Sequence, residues 1–355
     1  MSKQSNSLGY SVYPSTWSEN RKQLSSLFME GSAVFTSLHI MEEMHVGYVE
    51  QVEDMMEFLK STGYKVIADV SKRTLEIFSE QSLTDLAKRL NIDILRIDYG
   101  FTEAEMLKAA EEIPICLNAS TISEEQAEFL RSTGYEFHAM HNFYPRPETG
   151  IDEEQFMKRN RMLEDYGISV MAFIQGREKL RGPIHEGLPT LEKHRNLIPY
   201  HAFLEMKNRY GIQEIFVGDG ILTETEARYI RHVLKEGVYC IPVELEEKKT
   251  LLNQVFTVRI DSPKEIIRIQ ESREYATPGN VIRAQNTIER KRGTITLDNE
   301  LYKRYSGEIQ ITRYDFKPDD RVNVIGKVKD EYLDVLDLIP NGEKMMLVDE
   351  DEDHE

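Results

Sequence analysis

Short apolar runs rich in β-branched and aromatic residues alternate with helical stretches along the first two-thirds of the chain. Eight such runs stand out: Leu8 to Tyr13, Ala33 to Ile40, Lys65 to Ser71, Ile94 to Gly100, Ile115 to Ser120, Glu136 to Asn142, Ile168 to Gly176 and Glu214 to Gly220. Repetition of strand, short polar connection and helix marks a parallel sheet, whose strands must be joined by crossovers. The helix starts support the count. Thr102-Glu-Ala-Glu105, Ser123-Glu-Glu-Gln126, Asp152-Glu-Glu-Gln155 and Thr223-Glu-Thr-Glu226 each carry the spacing with which a cap residue and the third helical residue satisfy first-turn amides. Eight units close a (β/α)8 TIM barrel, the fold expected for residues 1–245. An open doubly wound sheet is the alternative assembly of the same units.

Beyond about residue 250 the helical periodicity gives way to Val-, Ile- and Thr-rich runs separated by turn residues, and a small all-β domain is expected over 250–348. Its candidate strands are Gln254 to Ile260, Gly293 to Leu297, Glu308 to Tyr314 and Arg321 to Val328. Residues 349–355 form a like-charge acidic run, which reads as a solvated, disordered end.

Alternation along a barrel strand sends one parity inward, so polar residues of inward parity near a strand's C-terminal end face the mouth where barrel sites lie. In Ile94-Leu-Arg-Ile-Asp-Tyr-Gly100, Leu95 and Ile97 suit the helix side, which turns Arg96 and Asp98 inward. The same reasoning turns in Ser11 and Tyr13, Ser37 and His39, Asp69 and Ser71, Cys116 and Asn118, and Asp219. The plainer reading of any one acid is a helix cap or a partner for a neighbouring arginine. The Arg96/Asp98 pair points further, since burying charge is costly and a barrel mouth is where such groups gain a ligand.

Two connections are longer and richer than a barrel requires. His141-Asn-Phe-Tyr-Pro-Arg-Pro-Glu-Thr-Gly150 combines the polar Asn142, the stackable Tyr144, Arg146 between two stiffening prolines, and Glu148 as a candidate acid or base. The stretch from Gln175 to Arg195 is long enough for a lid and carries Arg177, Arg181, Glu186, Lys193 and Arg195. Its cations suit a phosphate, which barrels often hold after strands seven and eight, and Gly218-Asp-Gly220 leaves the backbone open there. A solvated basic loop is the plainer alternative.

Charge and composition narrow the partners. The 355 residues carry a formal net charge of -18, which argues against nucleic acid as main partner yet leaves room for a small anion held by a few local cations. Cys116 and Cys240 lie in apolar runs and read as reduced core residues. No stretch approaches the roughly 18 apolar residues of a membrane span, and the N-terminus lacks an apolar signal region, so no membrane partner and a cytoplasmic location are expected. Strand one lacks a His-x-His metal pair, His138 and His141 fall on opposite strand faces, and no lysine ends a strand as a Schiff-base aldolase would need. Walker, Gly-x-Ser-x-Gly and early Gly-x-Gly-x-x-Gly motifs are missing too. Carboxylate chemistry without metal or cofactor, on a polar and phosphorylated ligand, is what these residues suit.

The motifs Leu8-Gly-Tyr-Ser-Val-Tyr13, Phe35-Thr-Ser-Leu38, Ala68-Asp-Val-Ser71, Arg96-Ile-Asp-Tyr-Gly-Phe101 and Leu117-Asn-Ala-Ser-Thr121, with the two long connections, resemble those of bacterial 6-phospho-N-acetylmuramidases over nearly the whole chain. The two long connections are the specific part. The resemblance implies a TIM barrel followed by a cyclophilin-like β domain, and a glycosidase that cleaves N-acetylmuramic acid 6-phosphate from N-acetylglucosamine in the cytoplasm during peptidoglycan recycling. Glycoside hydrolysis usually needs two carboxyl groups, one protonating the leaving oxygen and one acting as nucleophile or base. The candidates are Asp98, Glu148, Asp219 and Asp69, with Asp98 and Glu148 expected to include the working pair. Arg146 and the cations after strand seven are expected to hold the 6-phosphate and the lactyl carboxylate. A phosphosugar lyase or isomerase on the same barrel is the enzymatic alternative. A binding or proline-isomerising module acting through the C-terminal domain is the other, weakened because the polar ring and both rich loops lie outside that domain.

Overall fold

The computed structural model describes residues 7–40, 45–97, 99–220, 222–274 and 281–349. Asp98 among the candidate acids, and residues 350–355 of the acidic run, lie outside the described residues. The chain divides into two compact units, Met1–Thr223 and Glu224–Glu355.

The first unit is the expected closed barrel. Strands β1 (Ser7–Ser11), β2 (Ala33–Ser37), β3 (Lys65–Val70), β4 (Ile94–Ile97), β5 (Ile115–Asn118), β6 (Phe137–Met140), β7 (Ser169–Ile174) and β8 (Glu214–Val217) pair in sequence order, and β8 pairs back onto β1. All these ladders are parallel. Helices α1 (Trp17–Leu27), α2 (Tyr48–Thr62), α3 (Lys72–Phe78), α4 (Leu83–Leu90), α5 (Glu103–Ala110), α6 (Glu124–Thr133), α7 (Glu153–Asp165) and α8 (Pro199–Asn208) make the crossovers. The predicted caps are built as expected at α5 and α6, where Thr102 and Ser123 each exchange hydrogen bonds with Glu105 and Gln126. Asp152 accepts the Gln155 amide at 2.9 Å to start α7.

Inside the barrel, Ala33, Phe35, Ile67, Ile94, Cys116, Met140, Met171, Phe173 and Phe216 form one apolar cluster. Burial in that cluster pushes the Cys116 thiol up to about 12, so it packs as a neutral group. These side chains fix the inward phase of β2 to β8. Two residues further along the strands the inward positions become Ser37, Asp69, Arg96 and Asn118, and the apolar floor changes to a polar layer.

The second unit is mostly sheet. Helix α9 (Glu224–Glu236) leads into β9 (Val238–Leu245), followed by β10 (Val255–Thr257), β11 (Ile266–Arg268), α10 (Gln270–Glu274), β12 (Thr294–Asp298), β13 (Ile309–Thr312), β14 (Val322–Val328) and β15 (Lys344–Val348). The sheet runs β10-β15-β9-β14-β12-β13-β11. The domain boundary expected between 245 and 250 is corrected by β9, which pairs with β14 and β15 and so places the start of this unit's sheet before residue 245. Hydrophobic pattern alone gives a buried strand after a helix, the same signature as a barrel unit. Its pairing is decided by residues about a hundred positions later.

Candidate active site

The mouth of the barrel is organised by strand register. Ser37 stands beside Asp69, and Asp69 beside Arg96, on three adjacent strands. One Asp69 carboxylate oxygen lies 2.9 Å from Arg96 Nη1, and the Ser37 hydroxyl donates toward the same oxygen at 3.5 Å. His39 Nδ1 lies 3.4 Å from the Ser37 oxygen and 3.8 Å from Asp69. Arg96 also donates from Nη2 to the Asn142 side-chain oxygen, which ties the β3–β4 pair to the loop after β6. Both partners of the ion pair are buried, Asp69 at 6% exposure and Arg96 at 5%. Charge held this deep needs such geometry to offset its desolvation. A carboxylate ion-paired in this way is an acceptor, fit to act as base, nucleophile or stabiliser of positive charge. Across the mouth, the buried Ser11 ends β1, and Asn118 on β5 is half-buried with its side-chain oxygen accepting the Ser120 amide at 3.0 Å.

On the far side, Tyr13 donates to the Gly218 carbonyl at 3.0 Å, and the Arg181 guanidinium lies 3.8 Å from the centre of the Tyr13 ring. Stacking engages the face of a guanidinium, whereas an anion is recognised by its N–H edge. Arg177 and Glu186 are exposed on the same connection, and Arg146 and Glu148 are exposed on the loop after β6. Glu148 sits in the left-handed region at φ 70°, with its amide donating to Glu192 at 2.9 Å.

Several residues chosen from the sequence hold the loops together. Asp219 was expected to point inward, and this is corrected: β8 ends at Val217 and the inward phase is set by Phe216, so Asp219 falls in the following turn. There its carboxylate accepts three backbone amides of the long connection, Gly176 at 3.3 Å, Arg181 at 3.0 Å and Leu188 at 3.1 Å. Burial pushes its carboxyl up, against the downward pull of those amides. A Cβ at Gly176 would collide with the Asp219 carbonyl, and one at Gly218 with the Leu188 carbonyl, which explains the glycines better than backbone access for a phosphate does. Gln175, also buried, accepts the Asn196 amide and donates to the Leu197 carbonyl.

Lys193 and Arg195 are also engaged within the protein. Lys193 reaches away to Glu153, Glu205 and Tyr210 at 2.7–3.0 Å. Arg195 spends its donors on both oxygens of Glu192 and on the carbonyls of Tyr144, Arg146, Glu186 and Gly187. Glu192 returns the arrangement by accepting the amides of Glu148 and Gly150, and its bond from Arg195, helped by those amides, holds its carboxyl down near about 2. Tyr144 adds an amide bond to the Pro189 carbonyl at 3.0 Å. Thr190 completes the clasp: its hydroxyl donates to the Asn142 carbonyl and accepts the Phe173 amide, both at 3.0 Å. Glu192 and Thr190 were not picked out from the sequence; the three-residue spacing of Glu192 and Arg195 was the available signal.

The mouth therefore combines a buried carboxylate–guanidinium pair with cation-bearing loops held rigid around it. A family model described as 6-phospho-N-acetylmuramidase, N-terminal, matches residues 8–232, and its C-terminal counterpart matches residues 240–348. The chain belongs to the 6-phospho-N-acetylmuramidase family. A crystal structure of a conserved Enterococcus faecalis protein, titled as of unknown function, is 33% identical, with 97% of this chain and 96% of that chain covered at a TM-score of 0.83. An uncharacterized B. cereus protein of known structure is 22% identical over 97% of this chain and 99% of that one, at a TM-score of 0.76, and shares the fold. Among curated proteins none matches. In this family member, both long connections that carried the resemblance are the segments clasped by Asp219, Glu192 and Arg195.

Proposed function

We propose that the chain is a glycoside hydrolase that cleaves N-acetylmuramic acid 6-phosphate from N-acetylglucosamine, in the cytoplasm, as a step of peptidoglycan recycling. The observation that carries the reading is the buried Asp69–Arg96 pair at the barrel mouth, joined to Ser37, His39 and Asn142, in a chain matched by the family's models. Hydrolysis of a glycoside needs an acceptor carboxylate on one side of the anomeric carbon and a proton donor at the leaving oxygen. Asp69, an acceptor beside Arg96, takes the first role as base, nucleophile or charge stabiliser. Asp98, the next inward acid of the sequence pattern, and Glu148 on the loop after β6 are the candidates for the proton donor. Asp219 leaves the catalytic set because its oxygens serve three amides. Arg181, Arg177 and Arg146 take the 6-phosphate and the lactyl carboxylate, while Lys193 and Arg195 leave that set because their donors are engaged.

The test compares phosphorylated with unphosphorylated muramyl disaccharide while NMR follows the first anomer released. Release of N-acetylglucosamine from the phosphorylated substrate, at a rate well above that from the unphosphorylated one, is the expected result. Equal rates would remove the phosphate from the reading, and turnover without free N-acetylglucosamine would replace the hydrolase with a lyase or isomerase.

A further inference from the structure

The cover of the barrel wall is thin at the junction of β4 and β5. Outward residues of its strands are ordinarily sealed by the helices: Val66, Leu95 and Ala139 are at 0% exposure. At the junction of β4 and β5 the seal is incomplete. Leu117, outward because its neighbour Cys116 faces the core, is half-buried, and a cavity of about 270 Å³ lies over it and Ile97, between α5 and α6. Here β4 pairs with β5 through Leu95 with Ile115 and Arg96 with Cys116, and β5 pairs with β6 as far as Asn118. Helix α5 has eight residues against fifteen in α2.

The cavity has an apolar floor that includes Met106 and Leu130, and a polar rim that includes Asn118, Thr121 and Gln126. Tyr99, at 58% exposure, and Phe129, at 39%, add aromatic faces open to solvent. Large apolar surface left open in this way marks a ligand site more often than a scattered surface residue does. Among the described residues lining it, Glu103 is the one side chain charged at neutral pH, and no lysine or arginine is present. Apart from Arg96, which is paired with Asp69, the cations named at the mouth stand on the loops after β6 and β7. Two residues join cavity and mouth: Asn118 belongs to the polar inward layer, and Tyr99 meets the His39 ring edge-on at 5.7 Å.

We propose that this seam cavity is the subsite for the neutral half of the substrate, a sugar ring bearing a small acyl group, while the phosphorylated half occupies the cationic side. The proposal rests on the glycoside hydrolase reading. Charge divides the two halves: among the described lining residues a phosphate or carboxylate meets Glu103 and no lysine or arginine, whereas a neutral ring can stack on Tyr99. A methyl-bearing acyl group suits Met106 and Leu130, with the amide and hydroxyls meeting Asn118, Thr121 and Gln126. The size agrees, since drug-sized ligands fill pockets of roughly 300–1,000 Å³ and about 270 Å³ holds something smaller, a single ring.

Free N-acetylglucosamine is the probe, with glucosamine as the control that lacks the acyl group. Saturation-transfer NMR on the full chain is expected to show transfer strongest at the acetyl methyl and little to glucosamine. Met106→Trp, which fills the floor, is expected to abolish the transfer with the thermal midpoint retained. Tyr99→Ala, at an exposed position, is expected to weaken affinity about five-fold, and it decides the question alone should Met106→Trp fail to fold. Absence of transfer to the wild type, equal transfer to glucosamine, or affinity unchanged in Tyr99→Ala would overturn the proposal. Because binding is read without turnover, the two readings separate. Binding with no hydrolysis of the phosphodisaccharide overturns the hydrolase and keeps the subsite, and hydrolysis with no binding overturns the subsite alone.

Discussion

The barrel treats two stretches of its rim in opposite ways. After β7, a connection of about twenty residues is fixed almost wholly by buried polar contacts: Asp219 gathers three of its amides, Arg195 with Glu192 ties it to the loop after β6, and Thr190 and Gln175 close the gaps. After β4 and β5, the connections are short, and what is left is apolar wall without a cover. The difference follows from what each segment has to satisfy. A long loop without regular structure must find partners for its backbone groups, and a carboxylate or guanidinium supplies several at once. A short connection has few such groups, so its stability comes from packing, and packing is what is incomplete at the seam. Order on one side is written in hydrogen bonds, and on the other in side-chain packing.

The largest effect is expected on the clasped side. Asp219→Ala leaves the amides of Gly176, Arg181 and Leu188 without their acceptor, and each buried unsatisfied donor costs about 1–3 kcal/mol, so the loss should reach about 3 kcal/mol or more in a denaturant titration. Asp219→Asn, which keeps one acceptor oxygen, should recover part of it. A loss below about 1 kcal/mol for Asp219→Ala would show that the loop is held by something else.

Arg195→Lys comes next. The ammonium keeps the charge but cannot fork across Glu192 and reach the Tyr144, Arg146, Glu186 and Gly187 carbonyls together, so stability should fall by about 2 kcal/mol. Both loops are joined by this side chain. Limited proteolysis should accordingly cut near Arg146 and near Glu186 in the variant, and resistance at both sites equal to wild type would refute the clasp.

Glu192 gives a pH-resolved version. Its carboxyl sits near about 2 in the folded chain, chiefly through Arg195, against about 4.3 for an ordinary glutamate. A carboxylate lowered on folding contributes stability that is complete above its unfolded value and is lost as pH falls through its folded value. The gap in thermal midpoint between wild type and Glu192→Gln should therefore be constant from pH 7 down to about 5 and close between about 4.3 and about 2. A gap independent of pH over that range would mean that the charge of Glu192 is not what holds Glu148 and Gly150.

How much of this was legible in the sequence depended on distance along the chain. The eight strands were readable because each carries its own short apolar run and, in several cases, the following helix its own cap; Thr102 and Ser123 act within three residues. Strand ends were not: the expected runs continued to Asn142 and Gly220, whereas β6 and β8 stop at Met140 and Val217. That overrun turned Asp219 into a false inward acid. Asp69 and Arg96 were individually recognisable by parity, but their contact is a fact of register between strands. Lys193 and Arg195 looked available because sequence displays a cation and hides its partners; Glu153 lies 40 residues from Lys193, and most partners of Arg195 are carbonyls, which every residue has. The seam cavity left no local trace, because it consists of packing that is missing.

The smallest expected effect tests the other half of the comparison. Phe129 is 39% exposed on the cavity edge, where an apolar ring meets water on one side and an unfilled space on the other. If the uncovered wall is a site waiting for an occupant, the ring contributes little to the empty protein, and Phe129→Gln should change stability by no more than about 0.5 kcal/mol, as surface substitutions do. Were the ring part of a working core, truncation would cost about 3 kcal/mol or more, as for a buried phenylalanine. Near-neutrality here beside a loss of several kcal/mol at Asp219 would mean that the seam, unlike the clasp, is not stabilised by its own side chains. A large loss at both positions would mean that the cavity is sealed in solution by movement of α5 and α6, and the contrast between the two rims would disappear.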